Sequence, residues 1–304
     1  MLREDDNLPS CIAGLVDRGD AGARSSRRRF LAALSAAFLA AGCQLGRNQV
    51  VTRPAKYSVR SERLLVLSDF KLSKEHPLIQ DLVTLRGQVA ETLNLTFDTQ
   101  QVTVYLFSDH ATYRKYLDAT YPGLPDRRAY FVGTSKELAV YTFWGDRIQE
   151  DLRHEYTHGL LHSALKTVPL WLDEGLAEYF EVPGPNPGTL NAEYATRLPK
   201  ALANGWHPDV TRLERIEEFS QMQRFDYQES WAWMHFLLHS SPDTREVLLG
   251  YLEELKTNPK PGPLSVRLRQ EYPEYSPRFA AYIATLHTQR ALVEAASHSE
   301  PATR

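Results

Sequence analysis

Apolar residues recur along this chain with two different periods, and the change from one to the other divides it. Leu64 to Leu67 and Val102 to Phe107 are short β-branched and apolar runs that read as strands. Between them, Leu78, Ile79, Leu82, Leu85 and Val89 fall at helical spacing and predict a helix over Pro77 to Leu93. Ala129 to Val132 and Leu138 to Phe143 flank Gly133-Thr134-Ser135-Lys136 and predict a hairpin. Beyond residue 145 the period becomes helical. Asp146 with Gln149 forms a capping-box pattern, so a helix is expected from there to Lys166, with Ile148, Leu152, Leu160 and Leu161 as its buried stripe. A second helix over Pro169 to Val182 would bury Leu172, Leu176 and Phe180, with Gly175 allowing a close helix approach. Pro183 to Thr189 reads as a loop bordering a cleft, and helices follow near Glu193 to Ala203, Gln228 to His239, Thr244 to Leu255 and Arg278 to Ala296. The expected class is α+β: a small mixed α/β lobe over 61 to 145, then a mainly helical lobe over 146 to 297, with a disordered tail over 298 to 304.

The start of the chain follows a different pattern. Ser26-Arg27-Arg28-Arg29-Phe30-Leu31 leads into an apolar run ending at Gly42-Cys43, which reads as a twin-arginine export signal over 1 to 42 with a lipobox-like cleavage site. The run is too short to span a bilayer, which needs about 20 apolar residues. Lipidation of Cys43 would place the protein in a bacterial cell envelope, tethered through a polar segment over 43 to 60. The cysteines are Cys11 and Cys43, so cleavage before Cys43 leaves one and no internal disulfide. Formal charge is −3 at pH 7, without a basic face of the kind phosphate contacts need, which argues against nucleic-acid binding. There is no P-loop, dinucleotide fingerprint or internal repeat.

Chemistry concentrates in two short segments, His154-Glu155-Tyr156-Thr157-His158 and Trp171-Leu172-Asp173-Glu174-Gly175. On a helix, residues four apart share a face one turn apart, so both imidazoles can hold one cation, and Glu155 sits beside it as a base. Fifteen residues separate His158 from Glu174, and Lys166 to Pro169 breaks the helix between them, so the Glu174 carboxylate can return to the same ion. Imidazole and carboxylate donors make zinc the default metal, with one coordination position left for water. Glu178, one turn beyond Glu174, is placed to accept the free N–H of a ligand histidine and fix its tautomer. His162 continues the four-residue spacing and reads as a supporting or structural residue. His235 and His239 form another pair at that spacing, but Phe236 stands where a base is needed, and they read as helix-surface histidines.

These residues resemble the gluzincins, and within them the peptidase-MA-like families with H-E-x-x-H followed by W-L-x-E-G, over roughly residues 100 to 240. The resemblance implies a zincin-like fold, His154, His158 and Glu174 as zinc ligands, and Glu155 as general base. Tyr227-Gln228-Glu229-Ser230 resembles the segment in which related aminopeptidases place a catalytic tyrosine at a helix start, which makes Tyr227 an oxyanion donor. The chain departs from the aminopeptidase Y-E-K-G form and has no G-x-M-E-N segment. Leu161 and Ala164 stand where a metzincin needs glycine and histidine. In zincins the strand running into the zinc helix lies at the sheet edge that holds an extended peptide, here Leu138 to Phe143, although a plain structural hairpin fits equally. The function expected is a zinc peptidase acting on peptides or proteins in the cell envelope. The alternative is a non-catalytic envelope lipoprotein that keeps the fold as a binding or assembly module; Glu155 argues against it, because a structural metal site needs no base.

Overall fold

In the computed structural model, residues 11–12, 51–97, 100–184 and 186–299 are described. Five strands between Tyr57 and Phe143 form a mixed sheet: β2 (Tyr57–Ser61), β3 (Leu64–Ser68), β4 (Val102–Phe107), β5 (Ala129–Gly133) and β6 (Leu138–Phe143). Their order is β5-β6-β4-β3-β2, and a two-residue strand β1 (Cys11–Ile12) lies outside β5. The β2/β3 and β5/β6 pairs are antiparallel hairpins, while β3/β4 and β4/β6 are parallel. Helices α1 (Pro77–Leu93) and α2 (His110–Thr120) come from the connections, and α3 (Ile148–Ala164) through α10 (Tyr275–Ser299) make the helical part. The α+β expectation therefore holds.

β4 is buried along its whole length, which is what a sheet covered on both faces requires. Val102, Val104 and Leu106 point with Phe131, Leu138 and Val140 into the main core, under α1 and α3. Thr103, Tyr105 and Phe107 alternate to the other face, where Tyr105 and Phe107 meet Tyr113, Tyr116 and Leu117 of α2. Tyr105 and Tyr141 stack there with ring centroids 5.1 Å apart. Asp109 caps α2 by accepting from the Thr112 amide at 2.8 Å. Sequence periodicity missed this helix because only Tyr113, Tyr116 and Leu117 of its eleven residues are buried. β2 was likewise unexpected, since residues to 60 read as a tether.

The main core is one cluster that runs from the sheet through α3 and α4 (Leu170–Glu181) to α7 (Arg224–His239) and α8 (Pro242–Thr257). α3 begins at Ile148 rather than at the Asp146 capping pattern; its first amide donates to the Gly145 carbonyl and no side chain caps it. Its burial exceeds an amphipathic stripe, since every residue from Asp151 to Leu161 is buried between the sheet, α1 and α4. Gly159 makes this possible: a Cβ there would lie 2.7 Å from Val102 Cγ1. Pro169 ends the connection and starts α4, which buries Leu172, Leu176 and Phe180 as expected. Gly175 is the close-approach point, where a Cβ would fall 2.7 Å from the Ser230 carbonyl of α7. Two glycines thus press the histidine helix onto the sheet and α4 onto α7.

Candidate metal centre

His154, Glu155 and His158 project from the middle of α3, and Glu174 from α4, all with no solvent exposure. Their common side follows from packing already described: α3 carries the two imidazoles one turn apart, and the break at 166–169 lets α4 fold back against it. The two rings lie 4.9 Å apart. Glu174 Oε2 is 3.5 Å from His154 Nε2, and Oε1 is 3.8 Å from His158 Nε2. Donors bound tetrahedrally at zinc–ligand distances of 2.0–2.1 Å stand roughly 3.3 Å from one another, so these two spacings, with all three donors within 4.8 Å of one another, are close to what one zinc ion sets.

The electrostatics support the same fit. Both Nε2 atoms, both Glu174 oxygens and both Glu155 oxygens are buried without a hydrogen-bond partner. Such a concentration of unsatisfied polar atoms is costly, at about 1–3 kcal/mol each and more for charged groups, unless a cation or substrate meets them. Burial pushes the Glu155 carboxyl up to about 7, against the opposing pull of His154 and His158. A divalent ion beside it would draw that value back down and keep Glu155 ionised. Burial alone would lower the pKa of His154, but Glu174 and Glu181 carry it well above the usual imidazole range. The pocket as built therefore favours positive charge at its centre.

Each imidazole is oriented from behind. Glu181 Oε2 lies 3.1 Å from His154 Nδ1. Asp173 Oδ1 lies 2.9 Å from His158 Nδ1, and Oδ2 lies 2.9 Å from His162 Nε2, so this one carboxylate joins both histidines. With Nδ1 protonated toward a carboxylate, each Nε2 would be left free to ligate an ion. The histidine-orienting role expected of Glu178 thus belongs to Glu181 and Asp173. Glu178 instead accepts from the Tyr194 hydroxyl at 2.7 Å, and burial, with neighbouring Glu181, raises its pKa well above the usual range. The reason is helical phase. Glu181 is two turns beyond Glu174 and reaches the back of His154, whereas Glu178 turns toward α5 (Ala192–Ala203), which carries Tyr194. Asp173 stands directly before Glu174 and Glu181 two turns beyond it, but sequence spacing alone does not single them out over Glu178. His154, Glu178 and Glu181 form a second group of donors within 4.8 Å of one another, around the back of the same imidazole.

Surrounding anchors fix the frame. Arg153, buried beside His154, donates to the Phe180 carbonyl at 2.9 Å, Asp81 at 2.9 Å and Gln88 at 3.2 Å, joining α3 to α1 and to the end of α4. Arg128 clamps Asp151 on α3 through Nε and Nη2, which ties the start of β5 to the helix one turn before the site. Tyr227 sits in the first turn of α7, 2% exposed. Burial raises its pKa, and the charge of Glu174 raises it further, so the phenol stays protonated. Its neighbours Asp226 and Glu229 are held by Arg212 at 2.7 Å each. Phe131 of β5 packs 6.1 Å from the His158 ring.

Residues 150–261 match a family described as a protein of unknown function, DUF1570. The match spans α3, α4 and α7, and so covers all the candidate ligands, Glu155 and Tyr227. None of the curated proteins compared matches the chain.

Two expectations need correction here. β6 runs into α3 but is interior, between β5 and β4; the outer strand beside the site is β5, and β1 adds to it in parallel, with Cys11 opposite Phe131. His235 is a buried residue, 4% exposed, and its ring nitrogens meet the Tyr282 hydroxyl at 2.6 Å and the Gly188 carbonyl at 3.2 Å. Asn186 to Leu190 lie there, around His235, His239 and Tyr282. Cys43 and the signal segment, apart from Cys11–Ile12, lie outside the described residues.

Proposed function

We propose that this protein is a zinc-dependent peptidase of the gluzincin type, hydrolysing amide bonds of peptides or proteins in the bacterial cell envelope, to which Cys43 would anchor it. The observation that carries this reading is the gathering of the orphaned Nε2 atoms of His154 and His158 with the orphaned carboxylate oxygens of Glu174 and Glu155, all buried, with carboxylates behind both imidazoles. His154, His158 and Glu174 would hold the ion. Once bound, zinc supplies Lewis acidity that polarises a carbonyl and acidifies water toward a pKa of about 7. The proton movements fall to the chain. Glu155 takes the proton of the attacking water and delivers it to the amine nitrogen as the C–N bond breaks. Tyr227 donates its hydroxyl to the oxygen on which negative charge grows. With residues 1–42 removed as an export signal, the edge of β5 on which β1 pairs would be free to offer backbone partners to an extended substrate.

A purely structural site would need a fourth protein ligand, and His162 was the conceivable one. Its Nε2 is spent on Asp173, so the open position and the base remain together. No helix among the described residues is long and apolar enough to cross a membrane. The test is metal analysis of the purified protein alongside a peptide-library cleavage assay. One zinc per chain and cleavage are expected, with Glu155→Gln keeping the metal and losing more than about 1000-fold in turnover. Full activity in Glu155→Gln would remove the base.

A further inference from the structure

Strands β3, β4 and β6 run parallel, and the chain leaves their carboxyl ends in different directions. From β3 it passes to α1 and from β6 to α3, both on the face that holds the main core. From β4, which lies between them, it passes to α2 on the opposite face. Adjacent parallel strands whose connections part in this way leave a crevice at their carboxyl ends, the place where open α/β sheets take their ligands. That crevice is present here, lined by residues the metal centre does not use. A cavity of about 660 Å³ is bordered by Asp69, just past β3, by Ser108, just past β4, and by Thr112 and Lys115 of α2. A second cavity, of about 380 Å³, is bordered by Ser108 again, with Phe70, Leu72, His76 and Trp144. Both fall within the roughly 300–1,000 Å³ of small-ligand sites.

Trp144 is 43% exposed, whereas the other four tryptophans are buried or half-buried. Its amide donates to the Phe107 carbonyl at 2.9 Å, which fixes it beside the end of β4. Phe70 and His76 meet the indole at steep angles, with planes at 83° and 72° and ring centroids 5.3 and 5.8 Å away. These contacts hold the ring in orientation without covering it by a stacked partner. The polar lining is equally organised. Ser108 and Thr112 donate their hydroxyls to Asp109 at 2.9 and 3.1 Å, which leaves both oxygens as acceptors. His76 accepts the Leu78 amide through Nδ1 at 3.2 Å, so Nε2 is its donor.

The chemistry of the lining narrows the ligand. Asp109 already caps α2, so a phosphate at that helix start would meet a carboxylate rather than free amides. The carboxylates of Asp69 and Asp109 offset the ammonium groups of Lys71 and Lys115, and no excess charge selects an ion. A wholly apolar ligand would strip water from Asp69 and Lys115 without replacing it. What fits is a neutral molecule with an apolar face and many hydroxyls. A pyranose has both: the C–H groups of one ring face pack on an indole, and its hydroxyls donate and accept around the rim.

We propose that this crevice binds a sugar ring of a neutral oligosaccharide, with Trp144 under one ring face and Asp69, Ser108 and Thr112 bonded to its hydroxyls. Sugar binding there does not depend on the metal centre cleaving peptides.

The test is calorimetric titration of the purified full chain with cellotetraose, maltotetraose and tetra-N-acetylchitotetraose, with sodium phosphate and AMP titrated in parallel. At least one of the saccharides is expected to bind with Kd on the order of 1 mM or tighter. Trp144→Ala should weaken that binding about 10-fold or more, and Trp144→Phe should recover most of it. Asp69→Asn should weaken it about 10-fold through loss of a charge-assisted hydrogen bond. Circular dichroism establishes that each variant folds; if Trp144→Ala does not, Asp69→Asn decides. Failure of all three saccharides to bind at about 10 mM overturns the proposal. Saccharide binding that is unchanged in the folded variants overturns it as well. Binding of phosphate or AMP in place of saccharides makes the crevice an anion site, and sedimentation with phosphatidylglycerol vesicles that requires Trp144, without saccharide binding, makes it a membrane contact; either result rejects the sugar site.

Discussion

The chain carries two histidine pairs at four-residue spacing on buried helices, and they have opposite chemistry. His154 and His158 on α3 have rings 4.9 Å apart, and His235 and His239 on α7 have rings 4.5 Å apart. Around the first pair stand Glu174, Glu181, Asp173 and Glu155, and both Nε2 atoms are unmatched. Around the second stand neutral partners: Tyr282 and Gly188 for His235, and the Tyr179 hydroxyl at 2.7 Å for His239. Gly188 is there because its φ of +76° and its contact with His239 Nε2 leave no space for a side chain. Burial then has different results. Negative neighbours lift His154 well above the usual range, whereas burial, with His239, pushes His235 down to about 3. Spacing makes two imidazoles neighbours; the carboxylates brought by other elements make them a candidate metal site.

The comparison breaks most sharply on metal content. Glu174→Ala should weaken zinc retention by on the order of 100-fold or more, leaving little metal after dialysis, while His235→Ala and His239→Ala should keep the full complement. Zinc lost equally from both sets would erase the distinction. Tyr227→Phe is expected to lower kcat by on the order of 100- to 1000-fold with zinc retained, measured by single-turnover cleavage. A change below about threefold would leave the tyrosine a packing role. Asp173→Asn and Glu181→Gln should each weaken zinc binding by about 10- to 100-fold in a competition titration with a chelator, because each releases one imidazole from its orientation. Matched affinities in wild type and variants would show that the carboxylates behind the histidines orient nothing.

The smallest effect concerns the second pair and has a defined sign. His235 stays neutral in the fold because its folded pKa of about 3 lies below the value of about 6.5 for an unfolded chain. Its contribution to stability is complete above pH 6.5 and is lost progressively as pH falls toward 3, since only the unfolded chain takes up the proton. Urea midpoints for wild type should therefore fall more between pH 7 and pH 5 than those of His235→Gln. Parallel pH profiles would place the acid sensitivity elsewhere.

Local sequence carried a large part of this. β4 and α1 were delimited as they stand, since Val102 to Phe107 is a run of β-forming residues and Pro77 to Leu93 repeats at helical spacing. The H-E-x-x-H and W-L-x-E-G segments pointed to His154, His158 and Glu174, which the fold brings together as a candidate ligand set, because a helix fixes which residues share a face. Glu181 instead of Glu178 behind His154, β5 instead of β6 beside the site, and the buried state of His235 were out of reach. Each depends on how one element is rotated or stacked against another, through contacts such as Gly175 on Ser230, Gly159 on Val102 and Arg128 on Asp151. Short-range periodicity records which side chains lie together on one element; their partners across elements are selected by packing and charge compensation over the whole core, and that is what separated the candidate metal pair from its neutral counterpart.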